Sequence, residues 1–417
     1  MSDMDPVEAH LAEVLAAIRP LPPSPLELEA AEGAVLAEDA VALAALPSFD
    51  NSAMDGYAVR ASDVSGASPE TPVSLPVTDE IPAGDTRTLT MAPGTCMRIM
   101  TGALLPVGAD AVVPVEWTDA GRDRALFNQA PPVGNAVRHR GDDVAEGAVL
   151  LTAGTRLGPA QVGVLAAGGH GSVLARRPPR VAVLATGNEL TEPGKPLAPG
   201  RIWDSNSYLL AAAVRQAGGV AERWRVTDEP SAVLAEIERQ ARRSDLLITS
   251  GGVSMGGEHD VVKAALSRDV ALTADGGRVT FRKVAMQPGM PQGFGVIGPD
   301  RTPIFTLPGN PVSAFVSFHL FVRPAMDALQ GLDPEQSPGA RSLPTVRATL
   351  TAPVRSPEEK RSYLRGLLDA DSGTVTPLTG QGSHQVGVLA RANALIVVPE
   401  KVVRMEAGDV ADVMSLP

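Results

Sequence analysis

The sequence predicts a multidomain α/β plus β protein: a central α/β domain with a mostly parallel sheet, flanked by β-rich pieces. Three observations predict it. The chain has 417 residues, more than one ordinary domain holds. Across residues 179–330, apolar runs at 181–185, 246–249 and 304–307 each end in glycine and small polar residues and alternate with helical stretches. That is the pattern of strands buried on both faces. On either side, short β-prone segments are broken by proline and glycine.

In chain order, Val7, Leu11, Val14, Leu15 and Ile18 recur at helical spacing, predicting an amphipathic helix over 5–18 that Pro20 ends. Residues 20–25 form a proline-rich connector, and 26–46 read as a short helix and then an extended stretch. Segments 73–77, 95–100, 111–117 and 125–128 make 47–143 a small β-domain. A helix is expected over 159–167, and the chain is expected to return through 144–178 to form an elongated N-terminal region with 1–46. Arg176-Arg177-Pro178-Pro179 marks a hinge. Inside 179–330, helices are expected at 205–217 (Ser205 as N-cap), 230–243, 260–266 and 311–329. After a Pro/Gly-containing linker, runs at 345–350, 363–368, 374–377 and 394–398 predict a C-terminal β-barrel or sandwich over 331–417.

Composition narrows the function. A net charge of −12 with mixed signs argues against general nucleic-acid binding. One cysteine, Cys96, excludes an intrachain disulfide or a cysteine-based zinc site. No apolar run reaches the roughly 20 residues of a membrane span, and no signal-peptide pattern opens the chain, so the cytoplasm is the expected compartment. The six histidines lack zinc-type spacing, and no P-loop occurs.

The chemistry gathers in turns after strands: Thr186-Gly187-Asn188-Glu189-Leu190, Ser250-Gly251-Gly252-Val253-Ser254-Met255-Gly256 and Pro308-Gly309-Asn310-Pro311, with Arg201-Ile202-Trp203-Asp204-Ser205-Asn206 between the first two. In open α/β sheets ligands bind beyond the carboxyl ends of strands, and exposed backbone N–H groups there suit phosphate or another oxyanion.

With Asp260, this set resembles the molybdenum-cofactor biosynthesis domain. Asp50-Asn51-Ser52-Ala53-Met54-Asp55-Gly56, Ile99-Met100-Thr101-Gly102-Ala103, Val137-Arg138-His139-Arg140-Gly141-Asp142-Asp143 and Gly380-Gln381-Gly382-Ser383-His384 extend the resemblance over nearly the whole chain to the molybdopterin molybdenumtransferase family, which includes the gephyrin E domain. The resemblance implies insertion of molybdate, as co-substrate, into adenylylated molybdopterin with release of AMP. It implies catalytic positions at Asp55, Thr101, Asp143, Glu189, Asp228, Asp260 and Lys283. Substrate contacts are implied at Gly187, Asn188, Asp204, Ser205, Asn206, Ser250, Gly251, Gly252, Ser254, Gly256, Pro308, Gly309, Asn310, Pro311, Arg361 and Ser383, with Arg138 and Arg140 as further anion contacts. Carboxylates facing anions make sense only if they hold metal, take protons or orient water, so Mg²⁺ is expected at Glu189 and Asp260. A homodimer with composite sites is implied, as are an adenylyltransferase or acceptor molybdoenzymes as partners. Met290 stands where many members carry lysine, which puts the oxyanion pocket in question. A lone adenylyltransferase, whose chains lack the extra domains, and a non-catalytic cofactor-binding scaffold are the alternatives.

Overall fold

A computed structural model describes residues 4–251, 261–267, 279–333 and 343–416. The central sheet has six strands in the order Val220–Val226, Arg180–Thr186, Leu246–Ser250, Thr302–Leu307, Pro291–Ile297 and Val279–Lys283. The first four run parallel, and the next reverses. The edge strand Val279–Lys283 reverses again, so it points with the parallel four. Every residue of Leu246–Ser250 and Thr302–Leu307 is buried, as continuous apolar runs covered on both faces must be. Along Arg180–Thr186 the pleat divides the side chains. Val181 and Val183 pack with Leu210, Val214, Phe321 and the N-terminal helix Val7–Ala17, whereas Ala182 and Leu184 pack with Val233, Ile237 and Val262.

The helices fall close to expectation at Pro159–Ala167, Asn206–Gln216, Pro230–Ala241 and Val261–Ser267. Three corrections have local causes. Ser205 occupies the cap position without a side-chain bond; Asp204 caps instead, its Oδ1 accepting the Ser207 N–H at 3.0 Å. The run expected over 311–329 is split into Pro311–Ser317, a wider π-turn at Phe318–Val322, and Arg323–Leu329. Pro324 lacks an N–H and its ring crowds the carbonyl four residues back, and the wider turn accommodates it. The short helix expected after residue 26 is a single 3₁₀ turn, Leu28–Ala30, preceded by the strand Ser24–Glu27. That strand pairs with Ser172–Arg176, a partner distant in sequence, and the pairing overrides local preference.

Residues 24–36 and 157–175 share one small core around Leu36, Leu157, Leu165 and Val173. The β-domain is a five-stranded sheet in the order Ala111–Pro114, Gly56–Val59, Cys96–Ile99, Val73–Ile81, Arg124–Phe127, with a core on each face. Gly56 is required there, because a Cβ would meet the Val113 carbonyl oxygen at 2.0 Å. Gly56→Ala is therefore expected to push Ala111–Pro114 away and to cost roughly 1–3 kcal/mol, read as a lowered first thermal transition.

The C-terminal strands close into a barrel: Arg361–Asp369, Thr374–Pro377, Thr345–Leu350, Val410–Ser415 and Ala394–Val398, the last pairing back to the first. Met286–Gln287, from the connection between two strands of the central sheet, adds a parallel strand to this barrel and ties the two together. Among the described residues, no helix is long and apolar enough to cross a membrane.

Candidate active site

The turns after the parallel strands meet on one rim. Gly187 has φ +141°, and a Cβ there would sit 2.6–2.8 Å from the Glu189 carboxylate. The next residue, Asn188, donates its N–H to Asp228 Oδ2 at 2.6 Å, which joins the first turn to the loop after Val220–Val226. Gly251, at φ +92°, donates its N–H to the Leu307 carbonyl at 3.1 Å. A Cβ on Gly309 would lie 3.5 Å from the Gly251 Cα, so these two turns nearly touch.

Asn206 knits them together. Its Nδ2 donates to Ser250 Oγ at 2.8 Å and to the Gly309 carbonyl at 2.6 Å, while its buried Oδ1 has no partner among the described residues. Asp204 beside it is 3% exposed and accepts from both the N–H and the hydroxyl of Ser207. Arg223 donates to the same Ser207 hydroxyl at 3.0 Å.

The rim encloses a cleft of about 340 Å³. Glu189, Asp204, Ser205, Asn206, Ser250, Gly251, Gly309, Asn310 and Pro311 line it, as do Thr186, Trp203, His384 and Val386. The last two come from the C-terminal domain, whose loop is held against the helix beginning at Pro311 by the Val312 N–H donating to the Ser383 carbonyl at 3.1 Å. Beneath that loop lies Arg365, fully buried, its Nη2 donating to the carbonyls of Gly380 (2.8 Å) and Gly382 (3.3 Å). Its Nε and Nη1 have no partner among the described residues. A buried guanidinium with spare donors is a strong local source of positive potential.

Other candidates lie elsewhere. Lys283 ends the edge strand of the same sheet rim, and Met290 directly precedes Pro291, the residue paired with Lys283. Neither lines the cleft. Arg361 is not brought to the cleft either: it is ion-paired with Glu8 of the N-terminal helix and, at 2.8 Å, with Glu400. Gly252, Ser254, Gly256 and Asp260 lie outside the described residues.

The β-domain gathers a second set. Asn51–Ser52 pairs with Val137–Arg138, and the Gly102 N–H donates to the Ser52 carbonyl at 2.8 Å, so three separate sequence motifs share one edge. Asp55 Oδ1 accepts both the N–H and the hydroxyl of Thr101, each at 2.7 Å. These bonds, the backbone one foremost, hold its carboxyl below the usual carboxylate range. Asp50 is lowered similarly by the Arg140 N–H at 2.7 Å, assisted by His139. Asp143 sits beside them, exposed, its N–H bonded to the Leu46 carbonyl. Arg138 is exposed on the same edge, and Arg140 pairs with Glu146. Asp55, Thr101 and Asp143 are not among the residues that line the cleft.

Sequence reasoning misses Arg365 and Val386, and names Thr186, Trp203 and His384 only as parts of motifs. The signal for Arg365 is a charge set within the apolar run Tyr363-Leu364-Arg365-Gly366-Leu367-Leu368, and the structure buries it with Ser362, Tyr363, Leu364 and Gly366. For metal, the described residues contain no group of three or more carboxylates, histidines or cysteines. Glu189, exposed in the cleft, offers one carboxylate, and Mg²⁺ is satisfied by one or two carboxylates when substrate phosphates supply further oxygens.

A glycine-lined cleft beyond the carboxyl ends of parallel strands places the protein among α/β enzymes that hold their ligand at the strand ends. Residues 5–169 match the family described as MoeA N-terminal region (domain I and II), 182–328 the probable molybdopterin binding domain, and 347–416 the MoeA C-terminal region (domain IV). Molybdopterin molybdenumtransferase 2 of Mycobacterium tuberculosis (strain ATCC 25618 / H37Rv) is 47% identical over 418 residues, covering 99% of this chain and 100% of the relative. Molybdopterin molybdenumtransferase of Bacillus subtilis (strain 168) is 36% identical, covering 91% and 87%. The crystal structure of the molybdopterin biosynthesis moea protein from Pyrococcus horikosii shares 31% identity at a TM-score of 0.77 over 99% of each chain. The chain belongs to the molybdopterin molybdenumtransferase family and is a transferase.

Proposed function

We propose that this protein inserts molybdate into adenylylated molybdopterin and releases AMP, as the last step of molybdenum cofactor synthesis in the cytoplasm. The observation that carries this reading is the junction at Asn206. It fixes two glycine turns around one cleft whose backbone groups suit phosphate oxygens, next to the loop over Arg365. Gly251 and Gly309 let the ligand approach the backbone closely. Asp228 fixes the Asn188 turn, and Arg365 and Lys283 offset the negative charge that two anionic substrates bring together.

Glu189 would hold Mg²⁺ together with Asp260, and the ion when bound screens the phosphate oxygens of the bond to AMP. Asp55, ionised and clamped by Thr101, and Asp143 stand ready as a proton acceptor or water-orienting pair. Neither lines the cleft of its own chain, and this reading has the partner's β-domain complete each site in a homodimer. The adenylyltransferase that makes the substrate and the enzymes that take the cofactor are the partners this reaction needs.

Purified protein given adenylylated molybdopterin, Mg²⁺ and a molybdate titration is expected to release AMP in a molybdate-dependent manner, with active cofactor appearing in step. Tight nucleotide binding without AMP release at any molybdate concentration would leave a cofactor-binding scaffold and sink the reading. In mixtures of Asp55→Ala and Asn206→Ala chains, each strongly impaired alone, activity should rise as hybrid dimers form.

A further inference from the structure

We infer that Trp203 is the platform on which the planar nitrogen-containing ring of the substrate stacks, and thus a specificity-determining residue of the cleft. Trp203 and Ile202 are 50% and 56% exposed, yet both line the cleft. Large apolar side chains left open beside a polar cleft mark a binding surface. The indole is fixed in place: Ile202 donates its N–H to the Glu189 carbonyl and Asp204 donates its N–H to the Thr191 carbonyl, each at 2.9 Å. The ring Nε1 donates to the Lys195 carbonyl, also at 2.9 Å. The ring's one polar atom is therefore satisfied, and what the side chain offers a ligand is a π-face held on a short strand.

Three residues on, Asn206 holds the glycine turns that suit phosphate, so one cleft joins a flat aromatic surface to an anion-binding rim. Its volume of about 340 Å³ is within the range of ligand pockets. A phosphorylated heteroaromatic ring matches both features, and the substrate proposed above carries two, adenine and pterin. The inference rests on that proposal for its substrate but not for its test.

Wild type, Trp203→Phe and Trp203→Ala are titrated with AMP, neopterin monophosphate and ribose 5-phosphate, reading Kd by calorimetry and tryptophan fluorescence. Trp117 and Trp224 do not line the cleft, so Trp203 is the reporter. One ring phosphate is expected to quench wild type and to lose the quench in Trp203→Phe. In Trp203→Ala its affinity should fall about tenfold to hundredfold, with Trp203→Phe retaining most of it. Ribose 5-phosphate should bind all three alike. Whichever ring phosphate loses affinity identifies the stacked end. Unchanged affinity in Trp203→Ala, or no binding of either ring phosphate to wild type, overturns the inference. Molybdate-dependent AMP release by wild type, measured in parallel, separates the outcomes. Release with unchanged Trp203→Ala binding removes the platform alone, and a lost quench without release removes the reaction alone.

Discussion

Replacing Asn206 by alanine is expected to lower kcat/KM for AMP release by roughly a hundredfold or more, because small misplacements of catalytic geometry carry penalties of that order. Its Nδ2 makes two short bonds, to the Ser250 hydroxyl and the Gly309 carbonyl, and these span the turns that follow two neighbouring strands. No other side chain at the rim bonds both turns among the described residues. Without it, each turn relaxes separately, and donors that must converge on one oxyanion lose their common aim. Asn206→Asp should be worse, since a carboxylate oxygen would face the Gly309 carbonyl oxygen with no donor between them. Both variants should fold, because Asn206 opens a helix whose buried face is Ser207, Leu210, Ala211, Ala213 and Val214. The check is steady-state AMP release together with a thermal melt. A normal melt with wild-type kcat/KM would show that the turns hold their places unaided.

How much of this was legible in the sequence follows from which forces are local. The rim was readable because Pro308, Gly309 and Pro311 constrain their own backbone, and Gly187 and Gly251 occupy conformations glycine favours. The barrel strands at Thr345–Leu350 and Ala394–Val398 were readable from β-branched runs. The edge strand Val220–Val226 was not: Glu222, Arg223 and Arg225 break the apolar pattern, and its identity comes from pairing with Arg180–Thr186. Arg365 goes unread beside Arg361 for a similar reason. Both lie in one strand, and only the fold reveals that Arg361 meets Glu8, from the first helix, while Arg365 turns beneath the Gly380–Gly382 turn. The relation between the Asp55 edge and the cleft is equally invisible to local reasoning, because a motif's residues do not record which other motifs they face.

Acid is expected to destabilise the protein sharply between pH 6.5 and 5, through two histidines buried where the N-terminal helix meets the run from Pro311 to Leu329. His10, 4% exposed, packs edge-on against Phe321 at 4.8 Å and its Nδ1 has no partner among the described residues. His319, also 4% exposed, lies between Phe315 and Phe318 with its Nδ1 3.4 Å from Arg323, and its Nε2 has no partner among the described residues. Burial, followed by Arg282, pushes His10 down to about 4 despite Asp5 nearby; burial, followed by Arg323, pushes His319 down to about 3. Both are bases whose folded pKa lies below the unfolded value near 6.5, so the unfolded chain takes up the proton first. Their penalty is absent above pH 6.5 and grows as pH falls toward the folded values. By pH 5 each costs about 2 kcal/mol, a large share of a stability of roughly 5–15 kcal/mol. Carboxylates held low by their partners, such as Asp245 between Arg177 and Arg180, lose their contribution only at lower pH, so this window isolates the histidines. Urea midpoints at pH 7 and 5 should separate widely for wild type and much less for His10→Leu and His319→Leu, which keep apolar volume and remove the titrating ring. Equal losses in all three proteins would mean that another group governs acid sensitivity.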